Sequence, residues 1–174
     1  GVSTALPDRA VGYSEIEIDA ISERHPVRAF GAYWMLHAHD TVIPPRSRIN
    51  PAEIAGVLPW LMVLEVLRFH STTEFRYRLA GTGCTDLFGI DYTGKMLGDN
   101  LTPEGATIRR QEFARVLEEG RPIISATNLP IQAKDFIKVY RGVFPFTASG
   151  SGTDQIFVVI SPLAPESSPY PNLS

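Results

Sequence analysis

Cysteine is nearly absent: the 174 residues contain one, Cys84. A single thiol excludes an internal disulfide framework and any zinc site built from several cysteines, and it is compatible with a reducing cytoplasm. Cys84 has no basic residue beside it in sequence to lower its pKa, so it reads as a small buried hydrophobe rather than a redox centre. Long apolar runs are missing too. No stretch approaches the ~18 to 20 apolar residues that span a bilayer, and Gly1-Val2-Ser3-Thr4 is not a basic start leading into an apolar run. Membrane insertion and secretion are therefore not expected, and the expected location is the cytoplasm. Basic charge is scarce as well. The net charge is -3, with Arg46-Arg48 and Arg109-Arg110 as short pairs that read as solvated faces, so no electrostatic footprint for nucleic acid is present.

Signatures of catalysis are also lacking. There is no Gly-x-Ser-x-Gly elbow, Walker-type loop or His-Glu-x-x-His, so the sequence supplies no nucleophile with an identifiable base. Gly81-Thr82-Gly83-Cys84-Thr85-Asp86 starts like a dinucleotide fingerprint, but Asp86 would face the pyrophosphate and no alternating βαβ pattern follows. These read as turn glycines. His37 and His39 are two apart, a spacing that puts helical side chains on different faces rather than on one metal.

What is present is the composition of a folding domain: 44% hydrophobic and 20% charged residues, in a chain long enough to bury one core. Ser14 and Glu17 have capping-box spacing, which predicts a helix over 15–24. Val27, Phe30 and Trp34 recur at helical spacing after Pro26, which predicts an amphipathic helix over 26–39 with an aromatic stripe. Asn50-Pro51-Ala52-Glu53 combines an N-cap, Pro at the first helical position and an acid behind it, so a short helix should follow and stop before Pro59.

Beyond Pro59 the period becomes strand-like. A strand over 61–69, a turn at 70–74 and a second strand in which Phe75, Tyr77 and Leu79 alternate with Arg76 and Arg78 form a hairpin. One helical turn over 84–88 ends at Gly89, and a long helix over 103–119, capped by Thr102 and stopped by Gly120, carries Phe113, Val116 and Leu117 on one face. Strands over 122–130, 135–146 and 155–161 follow, with 149–152 as a loop. Strands grouped in runs predict an α+β fold with an antiparallel sheet. Residues 1–58 read as an N-terminal helical extension, 59–162 as the core and 163–174, rich in Pro and Ser, as an extended or disordered tail.

From Leu61 onward this order resembles the PAS fold. The stretch Leu79 to Gly89 is similar to the PAS passage from strand to short helix to glycine. Gly94-Lys95-Met96-Leu97-Gly98-Asp99-Asn100-Leu101 with Thr102-Pro103-Glu104, and then Leu117-Glu118-Glu119-Gly120-Arg121-Pro122, resemble the family's motifs on either side of its long helix. Tyr33-Trp34, Ile43-Pro44-Pro45-Arg46-Ser47-Arg48-Ile49-Asn50-Pro51, Leu58-Pro59 and Phe75-Arg76-Tyr77-Arg78-Leu79-Ala80-Gly81-Thr82 are similar to a bacterial subfamily of stand-alone PAS proteins, common in alphaproteobacteria. The resemblance implies a five-stranded antiparallel sheet in the order 2-1-5-4-3, helices on one face and N-terminal helices before it.

It also implies a sensory or regulatory signalling role without catalysis, with a small ligand or a partner protein bound. Tyr77, Leu79, Phe88, Phe113, Tyr140 and Phe144 are the candidates to line the cleft between sheet and helices, each also a candidate for plain core. Phe30, Tyr33 and Trp34 stand as a stripe for packing on their own sheet or for a homodimer, ahead of a foreign partner. The sequence requires no cofactor: the long helix lacks the histidine with which PAS sensors hold haem, His70 lying at a hairpin turn instead, and the Asn-Cys-Arg-Phe-Leu-Gln motif of flavin photosensors is missing. Val159-Ile160-Ser161-Pro162 stands where kinase-coupled relatives carry Asp-Ile-Thr, which weakens the expectation of an attached output domain. The rival reading is a cone-shaped α+β enzyme similar to ketosteroid isomerases and related dehydratases, with Asp86, Asp135 or His70 as its acid or base.

Overall fold

The computed structural model describes residues 13–39, 42–132, 135–148 and 154–163. The loop expected at 149–152 and the tail from 164 onward lie outside the described residues, as does the side chain of Asp135.

One antiparallel sheet organises the chain. Its strands are β1 (Ser14–Glu15), β2 (Leu61–Arg68), β3 (Thr73–Ala80), β4 (Ile123–Gln132), β5 (Asp135–Phe146) and β6 (Gln155–Pro162), in the spatial order β1-β4-β5-β6-β2-β3. Counted from β2, the five long strands run 2-1-5-4-3, as the PAS resemblance implied. The extra edge strand β1 replaces the helix expected over 15–24. Ser14 and Glu15 pair with Ala126 and Ser125, the Ile16 amide donates to the Ile124 carbonyl at 3.0 Å, and Arg115 grips the Glu15 carboxylate at 2.7 Å. Pairing at an open sheet edge outweighs a capping box worth about 1 kcal/mol, and only a 3-10 turn, Ile18–Ala20, remains of the helix.

The helices are α1 (Pro26–His37), α2 (Thr82–Phe88) and α3 (Pro103–Glu119). Helices α2 and α3 cover one face of the sheet and α1 covers the other, so the sheet is the middle of three layers. Period-two alternation divides each strand between them: Met62, Leu64, Ile156, Val158, Ile160, Val139 and Val143 face α2 and α3, whereas Leu61, Val63, Phe157, Val159, Phe144 and Phe146 face α1. Phe30 lies at the centre of the α1 layer, edge-on to Phe144 at 4.9 Å and stacked on Phe157 at 6.1 Å. The Trp34 indole N–H donates to the Pro145 carbonyl at 2.9 Å.

His25, which carried no signal in sequence, caps α1. Its Nδ1 accepts from the Val27 amide at 3.1 Å while Nε2 lies 2.7 Å from the Pro162 carbonyl, tying the start of α1 to the end of β6. Asn50 caps as expected, accepting from the Ala52 amide at 3.1 Å, but the segment behind it is a single 3-10 turn, Pro51–Ile54. Gly81 is required at the β3–α2 junction, because a Cβ there would lie 2.3 Å from the Leu58 carbonyl oxygen.

Candidate functional site

The hairpin β2–β3 contains a β-bulge that decides which side chains reach the interior. Val63 pairs with Leu79 and Leu64 pairs with Tyr77, leaving Arg78 as the extra residue. Parity therefore flips at Arg78. Tyr77 faces α2 and α3, and Leu79 faces the opposite side, where it is 50% exposed beside Leu58, Val63 and Phe157.

On the α2–α3 side lies a cavity of about 70 Å³, to which every long strand contributes a side chain: Met62, Tyr77, Leu129, Arg141 and Ile160. Phe88 on α2, Arg109 on α3, and Tyr92, Asn100 and Leu101 from the connecting segment close it. The connection is held down by backbone bonds to β3, the Tyr77 amide donating to the Lys95 carbonyl at 2.9 Å and the Gly94 amide to the Tyr77 carbonyl at 2.7 Å. Tyr92 packs against Tyr77 at 5.1 Å and against Phe88 at 5.3 Å. Aromatic rings thus form one wall.

The opposite wall is charged. Glu112, fully buried on α3, accepts with its Oε1 from Arg109 at 3.0 Å and also from Arg141. The Arg141 guanidinium lies over the Phe113 ring at 5.7 Å, and that of Arg109 over Tyr13 at 5.6 Å. Burial, followed by the Arg141 charge, pulls the Arg109 pKa down to about 10. Burial pushes the Tyr77 phenol up to about 12, so it stays a neutral donor at ordinary pH.

Of the six residues expected to line this cleft, Tyr77 and Phe88 do so. Phe113 lies beneath the cluster, fully buried against Phe75 at 5.1 Å and under Arg141. Leu79, Tyr140 and Phe144 are corrections. Leu79 is turned away by the bulge, and Tyr140 and Phe144 have the parity of β5 that faces α1, Tyr140 meeting His25 edge-on at 5.1 Å. Phe30 and Trp34 are buried in the α1 layer, and Tyr33 is half-buried beside them, its hydroxyl donating to the Glu53 carboxylate at 2.8 Å and accepting from the Asn50 amide at 2.9 Å.

Sequence reasoning missed Arg109 and Arg141, the first being read as half of a solvated pair. The signal was available. Arg109, Glu112, Phe113 and Val116 fall at helical spacing on one buried face of α3, and Arg141 sits between Val139 and Val143, at an apolar parity position of β5.

Asp86 and His70, the acid–base candidates of the rival enzyme reading, are exposed and do not line the cavity. Cys84 is buried and its thiol is pushed up to about 12 by desolvation. Among the described residues no group of three His, Cys, Asp or Glu could hold a metal ion, and no helix is long and apolar enough to cross a membrane.

No curated protein matches the chain. Among solved structures it is similar to an RNA-binding light-oxygen-voltage receptor, with 15% identity and a TM-score of 0.39 over 59% of this chain, which spans 28% of that one. It is also similar to the PAS domain of BvgS from Bordetella pertussis (18% identity, TM-score 0.42, 66% of this chain and 84% of that one). A sensory box histidine kinase/response regulator from Burkholderia thailandensis E264 has 9% identity and a TM-score of 0.40, with 71% of this chain and 92% of that one covered. The family model described as PAS domain matches residues 22–157, most of the chain and all of β2, β3, β4 and β5, and on that match the chain belongs to the PAS domain family.

Proposed function

We propose that this PAS domain is a non-catalytic sensory module that reads a small ligand in the cavity between the sheet and α2–α3 and passes its occupancy to a signalling partner, in the cytoplasm. The observation that carries the reading is the cavity wall. Neutral Tyr77, the guanidiniums of Arg109 and Arg141, which both bond Glu112, and apolar side chains border one cavity, the combination of a few polar groups among apolar ones that fixes a ligand's orientation. An occupant there touches all five long strands, so its fit can alter the same sheet whose other face carries α1.

Native mass spectrometry and an absorbance spectrum of the purified chain test this. A non-covalent small-molecule adduct, or saturable shifts of the Tyr77 and Tyr92 NMR signals on adding candidate ligands, is the expected result. Turnover of a ketosteroid-like substrate, abolished by neutralising Asp86, Asp135 or His70, would replace it with the enzyme reading.

A homodimer is part of the proposal, by a different surface from the stripe first considered. Phe30 and Trp34 are consumed by their own sheet, whereas Met35 and Leu36 on the outer side of α1 are each 65% exposed. Sedimentation of the wild type as a dimer and of Leu36→Glu as a monomer is the expected result.

A further inference from the structure

The bulge that points Tyr77 into the cavity points Leu79 out of the opposite face, at the edge of the sheet and away from the strands β5 and β6 on which α1 packs. There a groove of about 470 Å³ lies between the turns of 46–58 and β3. Leu61, Val63 and Phe157 form its floor, with Ile54 and Leu58 on one side and Leu79 on the other. Leu58 and Leu79 are both exposed. A bulge that re-aims a side chain and a contiguous apolar patch rimmed by polar residues both mark an interaction surface. Among the described residues that line the groove, the charged ones are Arg46 on the first side and Arg78 on the second, and none is acidic. Glu65 is shared between Arg76 at 3.2 Å and Arg78 at 3.5 Å, one carboxylate for two arginines. Arg46 is exposed, and its side chain has no hydrogen bond or ion pair among the described residues.

We infer that this groove docks an amphipathic helix of a partner protein, its apolar ridge on the floor and Asp or Glu along both flanks against Arg46 and Arg78. The groove is open to solvent, so it covers one side of its occupant, whereas a small-molecule site encloses most of its ligand. At ~30 Å³ for a group the size of water in the liquid, it accepts about 16 such groups, the bulk of about four leucine side chains. That is one helical ridge at i, i+3, i+4 and i+7. A cation on each side matches carboxylates on both flanks of the ridge, which a helix supplies and an amphiphile with a single head group does not.

Docking here does not require an occupied cavity, so its failure would leave the cavity reading untouched. The full chain is titrated into labelled helical peptides that share a leucine ridge at this spacing and carry Glu, Gln or Lys along both flanks. Binding is followed by fluorescence anisotropy and by NMR shifts of leucine methyls, at low and at physiological salt. The expected result is saturable binding of the Glu peptide, weaker binding of the Gln peptide and none of the Lys peptide, with shifts at Leu58 and Leu79. Leu79→Ala should weaken it by about 10-fold, the worth of one interface anchor. Arg46→Gln removes no contact of the fold itself, and should weaken binding by about 2- to 5-fold at low salt and by less at high salt. Leu36→Gln, on the outer side of α1, should leave it unchanged. A Glu peptide that does not bind, a Lys peptide that binds as tightly, or binding lost in Leu36→Gln and kept in Leu79→Ala overturns the assignment. Sedimentation tests the other occupant: a dimer of the chain that Leu79→Ala and Arg46→Gln dissociate gives the groove to a second copy and overturns the partner helix.

Discussion

The two faces of the sheet do opposite things with the same strands. Towards α1, Phe30, Trp34, Phe144, Phe146 and Phe157 fill the layer with interlocking rings. Towards α2 and α3, the same strands contribute a buried arginine, a tyrosine and an unfilled space. One face holds the fold and the other gives up packing and carries charge. A sheet that is over-determined from one side can tolerate a cavity and an ionic cluster on the other, because the stability lost there is supplied elsewhere.

Truncating the aromatic layer should break the comparison most severely. Phe30→Ala removes a fully buried ring from among Tyr33, Phe144, Phe146 and Phe157, and should cost about 3–5 kcal/mol in urea unfolding, towards the upper end if the rigid neighbours cannot close the gap. Glu112→Gln comes next. It leaves two buried guanidiniums without their carboxylate and should cost about 3 kcal/mol. The remedy distinguishes the faces: replacing Arg109, Glu112 and Arg141 together with methionine or leucine should restore stability to near the wild-type value while removing the polar wall. No such exchange exists for Phe30. If the triple replacement stays as unstable as Glu112→Gln, the cluster is structural and the division of labour fails.

How much of this could be read from the sequence follows the same division. The succession of the five long strands along the chain was legible because turns, caps and period are local, whereas their order across the sheet came with the PAS resemblance: Thr102 caps α3 and Gly120 ends it at φ +66°, as its place after the last helical residue implies. The aromatic layer was legible as a stripe on α1, but whether it met its own sheet or a second copy required the third dimension. The cavity wall was the least legible part. Arg78, the extra residue of the bulge, reverses parity for Leu79, and no residue type in Phe75-Arg76-Tyr77-Arg78-Leu79 marks it. Tyr140 and Phe144 share one parity of β5 and Val139, Arg141 and Val143 the other, and alternation alone does not say which of the two sets faces α2 and α3. The chain puts an arginine inside, against the usual preference, and only a buried partner on another element explains it.

Alkaline titration probes the cavity side more gently. The Cys84 thiol is raised from 9.0 to about 12 and the Tyr77 phenol from 10.0 to about 12, both by burial. In each case the folded chain keeps a proton that the unfolded chain gives up, so unfolding is favoured as pH rises. No contribution exists below about pH 9. Between pH 9 and 12 stability should fall by about 1.4 kcal/mol per unit for each group that titrates only when unfolded. Cys84→Ala should remove the part of the slope that begins near pH 9, and Tyr77→Phe the part that begins near pH 10, measured as urea midpoints over that range. Unchanged slopes in both variants would mean that these groups already ionise in the fold and that the cavity side is wetter than its geometry implies.

The smallest effect returns to the aromatic side and tests whether hydrogen bonding contributes there at all. Trp34→Phe keeps an aromatic ring in the α1 layer but leaves the Pro145 carbonyl without the indole N–H that reaches it at 2.9 Å. Proline at 145 has no amide of its own to donate, and it lies in β5 opposite Ile156 of β6, past the last β4–β5 pair, Ile123 with Val143. A loss of about 1 kcal/mol is expected, the usual net worth of one such bond, with part of it coming from the smaller ring. A methionine at the same position, which fills space without donating, should cost about as much. A loss beyond about 3 kcal/mol would show that the indole is a packing keystone on a par with Phe30, and that the α1 layer owes its strength to two side chains rather than to the whole set of rings.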